Sequence, residues 1–422
     1  DKPKKTGRTT TTDSTVSMRP PLHAVLRLAF SVAPWCAAPA CQLHVKADVA
    51  LEEFVEHSKA VLTDAAPNNA HDLMRFVAAN LRLGRLETAR SLLQTYRGQD
   101  DRGQDDPGLV LIAHATFQRA TGQLVLDDKQ QRHLEAALTR AEGLPARSFC
   151  SAALLVHGRY CLGQISSAPR RSRHERLATT RLLSLEAETW QPGRGHYRPT
   201  PCNGELRVPQ AADASLLIPH SFGMLIATGN RLQRHLANTL RAQRSGSRRR
   251  WQADICPGQL PALRLLAAAL LGDRDETEGA YHEVLQQRTS APSLAALQLE
   301  AVMQALTGIR IAASAGHDGQ WLRLQPWLPN ACDALELRGI YAQQHNFAIG
   351  LRRDRIKDTI RVAVAVAPPE RRELRLVVAN RSQQHVATLS PEQPFRCELP
   401  ATSATGSKPD DDTQNRLRLR RR

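Results

Sequence analysis

The 422-residue sequence predicts a mainly α fold, an α/α toroid, whole or incomplete, followed by a small antiparallel β-sandwich-like C-terminal module. Three observations carry that expectation. From about 48 to 310, apolar residues recur at helical spacing, as in Leu73, Phe76, Val77, Leu81 and Leu83, with turn-forming residues between the runs. Near 315 the character changes, and short stretches such as Ile360-Arg361-Val362-Ala363-Val364-Ala365-Val366 alternate with period two. At 41% hydrophobic residues, the chain has enough apolar side chain to bury a large core.

Taken in order, residues 1–17 are basic, Thr-rich and aperiodic, and read as a disordered tail. Residues 18–47 read either as a first core element or, over 18–41, as a signal-like segment. A charged start, an apolar run broken by Arg27, and small residues before Cys41 support the second reading. The helical domain spans 48–314. Gly84 suits the C-terminus of its first run, and Ala89, Leu92, Leu93 and Tyr96 continue the pattern beyond it. Further runs cover 108–121, 131–142, 150–162, 174–188, 213–241, 259–271, 275–287 and 293–309, with breaks at 100–107, 166–169 and 191–209. Residues 81–90 and 270–281 resemble each other and tetratricopeptide hairpins. They lie about 190 residues apart with no copies in register, which suits two hairpins of a toroid and not a solenoid. The β-rich module spans 315–400, with strands expected around 321–324, 335–337, 347–349, 360–366, 374–378 and 385–389. Residues 401–422 are a polar, charged tail.

Charge and cysteine content narrow the function. The formal net charge is +16, yet only eight of the 57 basic residues are Lys, and Arg is scattered through every segment. The basic clusters, such as Arg248-Arg249-Arg250, lack interleaved aromatics, so nucleic acid is expected as a non-specific partner at most. Eight cysteines without a C-x-x-C pair or a His-rich cluster indicate neither a zinc site nor a redox motif, and no metal or organic cofactor is expected. The longest apolar runs fall short of about 18 residues, so no transmembrane helix is expected. The compartment stays open, with the cytoplasm slightly favoured, and so does the oligomeric state.

Three separated stretches each hold a carboxylate. His71-Asp72-Leu73-Met74 runs to Leu81-Arg82-Leu83-Gly84; Ala141-Glu142-Gly143 precedes Phe149-Cys150-Ser151; Ala212-Asp213-Ala214-Ser215-Leu216-Leu217 leads to Asp254-Ile255-Cys256. Between the second and third lies Thr189-Trp190-Gln191-Pro192-Gly193-Arg194-Gly195-His196-Tyr197. In order and spacing these segments resemble the six-hairpin toroid glycoside hydrolases of the glucoamylase-like and amylo-1,6-glucosidase-like group, over about 60–400. The Asp-Ala-Ser-Leu-Leu and Trp-x-Pro-x-x-Gly-x-Tyr segments match most closely. His71 stands where the family has Arg, and Ala141 where it has Trp. Asp254 replaces the family's second catalytic Glu, counted back eighteen residues from Gly272.

The resemblance implies a glycosidase that hydrolyses an α-linked glucoside by inversion, with a carbohydrate substrate. Inversion needs a protonated acid beside the leaving oxygen and an ionised carboxylate holding water on the other face, roughly 6.5–9.5 Å away. Glu142 would be the acid and Asp254 the base; Asp72, His71, Trp190 and Asp213 would bind the sugar. Each has a plainer reading as well. Asp72 and Asp213 are at helix starts where any carboxylate caps, Glu142 could be a solvated charge, and Trp190 could pack its loop. Low aromatic content, 4%, leaves a degenerate relative in play. The alternatives are a disaccharide phosphorylase of the same fold and a non-catalytic helical scaffold that binds protein or an anionic polymer.

Overall fold

The computed structural model describes residues 42–96, 106–144, 149–193, 195–197, 217–218, 231–244, 258–309, 321–342, 344–366, 374–380, 383–389 and 394–401. The expectations for 1–41 and for the tail after 401 fall outside these residues, and all of those described belong to one unit, residues 38–422.

Two kinds of helix alternate along the chain. One kind is mostly buried: α2 (Ala70–Arg82), α4 (Pro107–Thr121), α6 (Phe149–Ile165), α9 (Gln259–Leu271) and α11 (Pro292–Thr307) bury most of their length. The other kind buries one stripe. α1 (Val49–Val61) buries Leu51, Phe54, Val55 and Ser58, and α3 (Leu86–Thr95), α5 (Asp128–Glu142), α7 (Ala168–Thr189) and α10 (Arg274–Gln286) do likewise. A helix buried along most of its length must be covered on every side, and an amphipathic one on a single side. The packing follows from that. The buried helices stand side by side in the order α6-α4-α2-α11-α9, and the one-sided helices form an outer row against them. This is α/α toroid architecture. α8 (Arg231–Arg244) packs on α9, and Leu217 belongs to the same core. The rest of the expected 213–230 run lies outside the described residues. The two tetratricopeptide-like segments are equivalent hairpin turns, α2–α3 and α9–α10.

Local chemistry sets the helix ends. Asn69 caps α2 by accepting from the Asp72 amide, Asp127 and Gln130 form a capping box on α5, and Pro107 and Pro292 stand in the first turns of α4 and α11. α4 and α11 stop at Gly122 and Gly308, both left-handed, with φ of 73° and 69°. Space demands glycine there as well: a Cβ on Gly308 would lie 2.5 Å from the Gln325 nitrogen, and one on Gly122 would lie 2.7 Å from the Gln344 side chain.

Those neighbours belong to the β module. β1 (His44–Lys46), β5 (Ala334–Ala342), β6 (His345–Asp354), β7 (Thr359–Val366) and β10 (Phe395–Pro400) form an antiparallel sheet in the order β1-β5-β6-β7-β10. A second sheet has the order β4-β8-β9, from β4 (Trp321–Leu324), β8 (Leu374–Ala379) and β9 (Gln384–Leu389). Two features differ from the sequence expectation. β4 pairs with β8 in parallel, and the edge strand β1 comes from residues ahead of the helices. The module seats on the C-terminal ends of inner helices. Leu43 N donates to Leu83 O (2.9 Å), Gln344 N to Ala120 O (2.5 Å), Gln325 N to Thr307 O (3.0 Å) and Trp327 N to Leu306 O (3.1 Å). Helix and strand side chains merge there into one core.

A buried ion pair crosses the same region. Arg82, fully buried, donates Nε to Glu300 Oε2 at 2.8 Å and Nη2 to Glu300 Oε1 at 2.9 Å, tying α2 to α11, and Nη2 also reaches Ile309 O. Removing one partner strands a buried charge, whereas replacing both with apolar residues removes the desolvation cost too. Glu300→Gln is expected to lose about 3 kcal/mol or more in urea denaturation. Arg82→Met with Glu300→Met together should lose far less than that.

Candidate functional site

With the C-terminal ends of inner helices seated on the β module, their N-terminal ends point the other way, and the polar side chains gather there. α2 and α11 meet at that end through Arg75 Nη1, which donates to Ser293 Oγ at 3.0 Å. Arg75 is only 8% exposed, and the negative charge of Asp72 partly offsets the effect of its burial. Burial, with the positive charge of Arg75 assisting, pushes the neighbouring His71 down to about 4, so its imidazole is neutral at physiological pH. Asp72 has a second task in the cap: its Oδ2 accepts from Asn68 N and Asn69 Nδ2, both at 3.3 Å, while its own amide donates to Asn69 Oδ1 at 2.9 Å. His71 and Asp72 are thus brought together with two residues that sequence reasoning missed, Arg75 and Ser293. The Asp72–Arg75 spacing of one helical turn was the available signal.

The next inner helix places another carboxyl at this end. Asp106 caps α4, its Oδ1 accepting from Gly108 N at 2.8 Å and Leu109 N at 3.4 Å. Burial raises its carboxyl to about 6 against the lowering effect of those two amides. A Cβ on Gly158 would fall 2.4 Å from Gly108 Cα, and one on Gly108 would fall 2.7 Å from Leu154 O. α4 and α6 therefore touch backbone to backbone, and α6 stands about two turns proud of the α4 start, as a wall beside Asp106. The Asp-Pro-Gly sequence at 106–108 is a helix-start signal, though nothing in it announces a raised pKa.

Trp190 lies in a hairpin at the same end. β2 (Trp190–Gln191) pairs with β3 (His196–Tyr197), and Tyr197 stacks on Phe149, the first residue of α6, at 4.9 Å and 15°. Trp190 meets Tyr197 edge-on at 5.0 Å, and the Arg231 guanidinium lies 5.4 Å from the indole ring centre. One indole face is thus covered by Arg231. A sugar stacking on that face, as the sequence leads one to expect, would have to move the arginine aside.

Glu142 differs most from its expected role. Its side chain is 2% exposed; Oε1 accepts from Arg159 Nε at 3.1 Å, and Oε2 from Arg159 Nη2 and from Arg181 Nη2, the latter at 3.3 Å. It clasps α5 to α6 and α7. A general acid needs an oxygen turned to the leaving group, and both Glu142 oxygens are engaged by guanidinium. Asp213 and Asp254 lie outside the described residues; by chain order Asp254 comes four residues before Gly258, the cap of α9. Among the described residues no group of three His, Cys, Asp or Glu side chains is placed to hold a metal ion, and no helix is long and apolar enough to cross a membrane.

No protein-family model matches the chain, and no curated protein matches it significantly. Solved structures do. An α-L-rhamnosidase from Aspergillus terreus aligns with a TM-score of 0.53 and 9% identity, over 87% of this chain and 51% of that one. An α-L-rhamnosidase from Dictyoglumus thermophilum aligns with a TM-score of 0.57 and 10% identity, over 86% and 50% respectively. The chain spans about half the length of these structures. At such identity the likeness is one of fold alone, and it gives no support to a specifically glucoamylase-like assignment.

The buried groups make stability depend on pH. His114, in the middle of α4, is pushed by burial down to about 4, like His71. Both histidines bind a proton more readily unfolded, so stability is lost as pH falls from about 6.5 to about 4. Asp106 acts with opposite sign, because the folded state holds its proton up to about 6. Two groups outweigh one, and thermal melts should show falling stability on acidification across this window. His114→Leu should flatten the slope and Asp106→Asn should steepen it.

Proposed function

We propose that the chain is the core of a glycoside hydrolase that inverts an α-linked glycoside at the N-terminal ends of its inner helices. The observation that carries this reading is the gathering of Asp72, His71, Arg75, Ser293 and Asp106 at the toroid end opposite the β module. The fold likeness to α-L-rhamnosidases supports it. Inversion requires an acid that still holds its proton near neutral pH, and a carboxylate that activates water. Asp106 suits the first role, since among the described residues both its backbone bonds fall on Oδ1, which leaves Oδ2 to carry the proton. Asp254 is the proposed base, as the sequence motif implies. Neutral His71, with Asp72, Arg75 and Ser293, would bind sugar hydroxyls, and Trp190 and Asp213 would border the site. Glu142, the acid of the motif, serves in this reading as the clasp between α5, α6 and α7.

The test is turnover of nitrophenyl α-L-rhamnoside and α-D-glucoside, with the rhamnoside expected to be the better substrate. Asp106→Asn preserves the helix cap and removes the transferable proton, so kcat should fall roughly 10²–10⁴-fold with the fold intact. Asp254→Asn should fall comparably. Glu142→Gln should lower the melting temperature while the folded fraction keeps its turnover. Loss of turnover in Glu142→Gln at unchanged stability would return the acid role to Glu142, and no turnover of any glycoside by the unaltered chain would overturn the hydrolase reading.

A further inference from the structure

We propose that Arg231 is the anchor of a carboxylate-binding subsite beside the inner-helix rim, so that the glycoside taken there carries an acidic sugar such as a uronate. The inference rests on the hydrolase reading for its substrate, but not for its binding geometry. Arg231 is fixed from two sides. Its guanidinium lies over Trp190, and its Nη1 donates to Glu186 Oε2 at 3.2 Å. Glu186 is itself held: its side chain is 3% exposed, and its Oε1 accepts from the Tyr197 hydroxyl at 3.1 Å. Tyr197 in turn is clamped by Phe149, Trp190 and His235, the last at 5.2 Å. Its side chain remains 40% exposed, with the guanidinium over an indole, and among the described residues Glu186 takes one nitrogen of a group that has five N–H donors.

A flat, pre-positioned guanidinium fork matches a planar carboxylate in two parallel hydrogen bonds, and little further ordering is needed to form them. Two neighbouring features fit that ligand. Arg234 is exposed one turn further along α8, with its Cβ near Gly195 of the hairpin. The first turn of α8 holds no acid, so the amides at its start favour an anion. The fixed Glu186 beside the fork repels a dianion more than a monoanion, which favours carboxylate over phosphate.

Calorimetry with methyl α-D-glucuronide and methyl α-D-glucoside tests the proposal on the whole chain. The glucuronide should bind about tenfold more tightly or better, the scale of one charged bidentate pair. Arg231→Gln should abolish that preference, Arg231→Lys should keep part of it, and melting curves should show all variants folded. Equal affinity for the two sugars, a preference that survives Arg231→Gln, or tighter binding of inorganic phosphate than of glucuronide would each overturn the subsite. Glucuronide preference without turnover of any glycoside would leave the subsite standing and overturn the hydrolase reading. Turnover of neutral glycosides with no such preference would do the reverse.

Discussion

Every α-helix leaves its last carbonyls without an intrahelical donor, and the architecture of this protein turns on where those carbonyls are answered. The last turns of α2, α4 and α11 receive their donors from the β module, through the amides of Leu43, Gln344, Gln325 and Trp327. The module is therefore the hydrogen-bond closure of the helical layer. Its strands share one core with the helices, and the left-handed glycines at the ends of α4 and α11 let the two backbones meet. At the opposite end the need is reversed, because unsatisfied amides there require acceptors. Side-chain oxygens of Asn69 and Asp106 supply them, and Asp72 reinforces the cap. The same physics that closes one end with strands gathers carboxylates at the other. Capping and chemistry consequently draw on the same residues.

Arginine gives this layout much of its lateral order. Arg82 joins α2 to α11 through Glu300, Arg159 and Arg181 hold Glu142 between three helices, Arg231 joins α8 to α7 through Glu186, and Arg264 joins α9 to α10 through Glu276 and Glu283. The pairs buried on both sides, Arg82–Glu300 and Arg159–Glu142, gain little net stability over apolar packing, but breaking one is costly, so each fixes a neighbour relation between helices. The Arg surplus that looks in the composition like an invitation to polyanions thus has an architectural share. The rigid fork explains why it is Arg and not Lys that serves.

What could be read in advance was whatever local periodicity encodes. The helical runs between about 48 and 310 and the period-two run of β7 are visible in short windows. The missed features depend on distant partners. The three residues of β1 have no periodicity to detect and become a strand only by pairing with Glu336, Leu337 and Arg338. β10 ends in Cys397-Glu398-Leu399-Pro400, a poor strand signal that pairing with β7 overrides. Glu142 could not be recognised as a clasp, because its partners stand on two later helices, and Trp190 gives no sign that Arg231 will cover it. Motif spacing pointed to the Trp190 hairpin and to the first turn of α2. It could not say which side chains would already be engaged with one another.

The pairing of β1 with β5 has a consequence for how the chain is made. His44 leaves the ribosome among the earlier residues described, while Arg338, its sheet partner, emerges only after every described helix. The strand must wait, and so must the last carbonyls of α4 and α11, whose donors are also in the late module. During that interval the inner helices are exposed on faces that only the finished assembly covers. Long-range closure of this kind slows folding and leaves sticky intermediates in its wake. The protein that results is stitched shut by residues from both halves of its sequence, and its biosynthesis therefore depends on late-made residues to shelter helices made long before them.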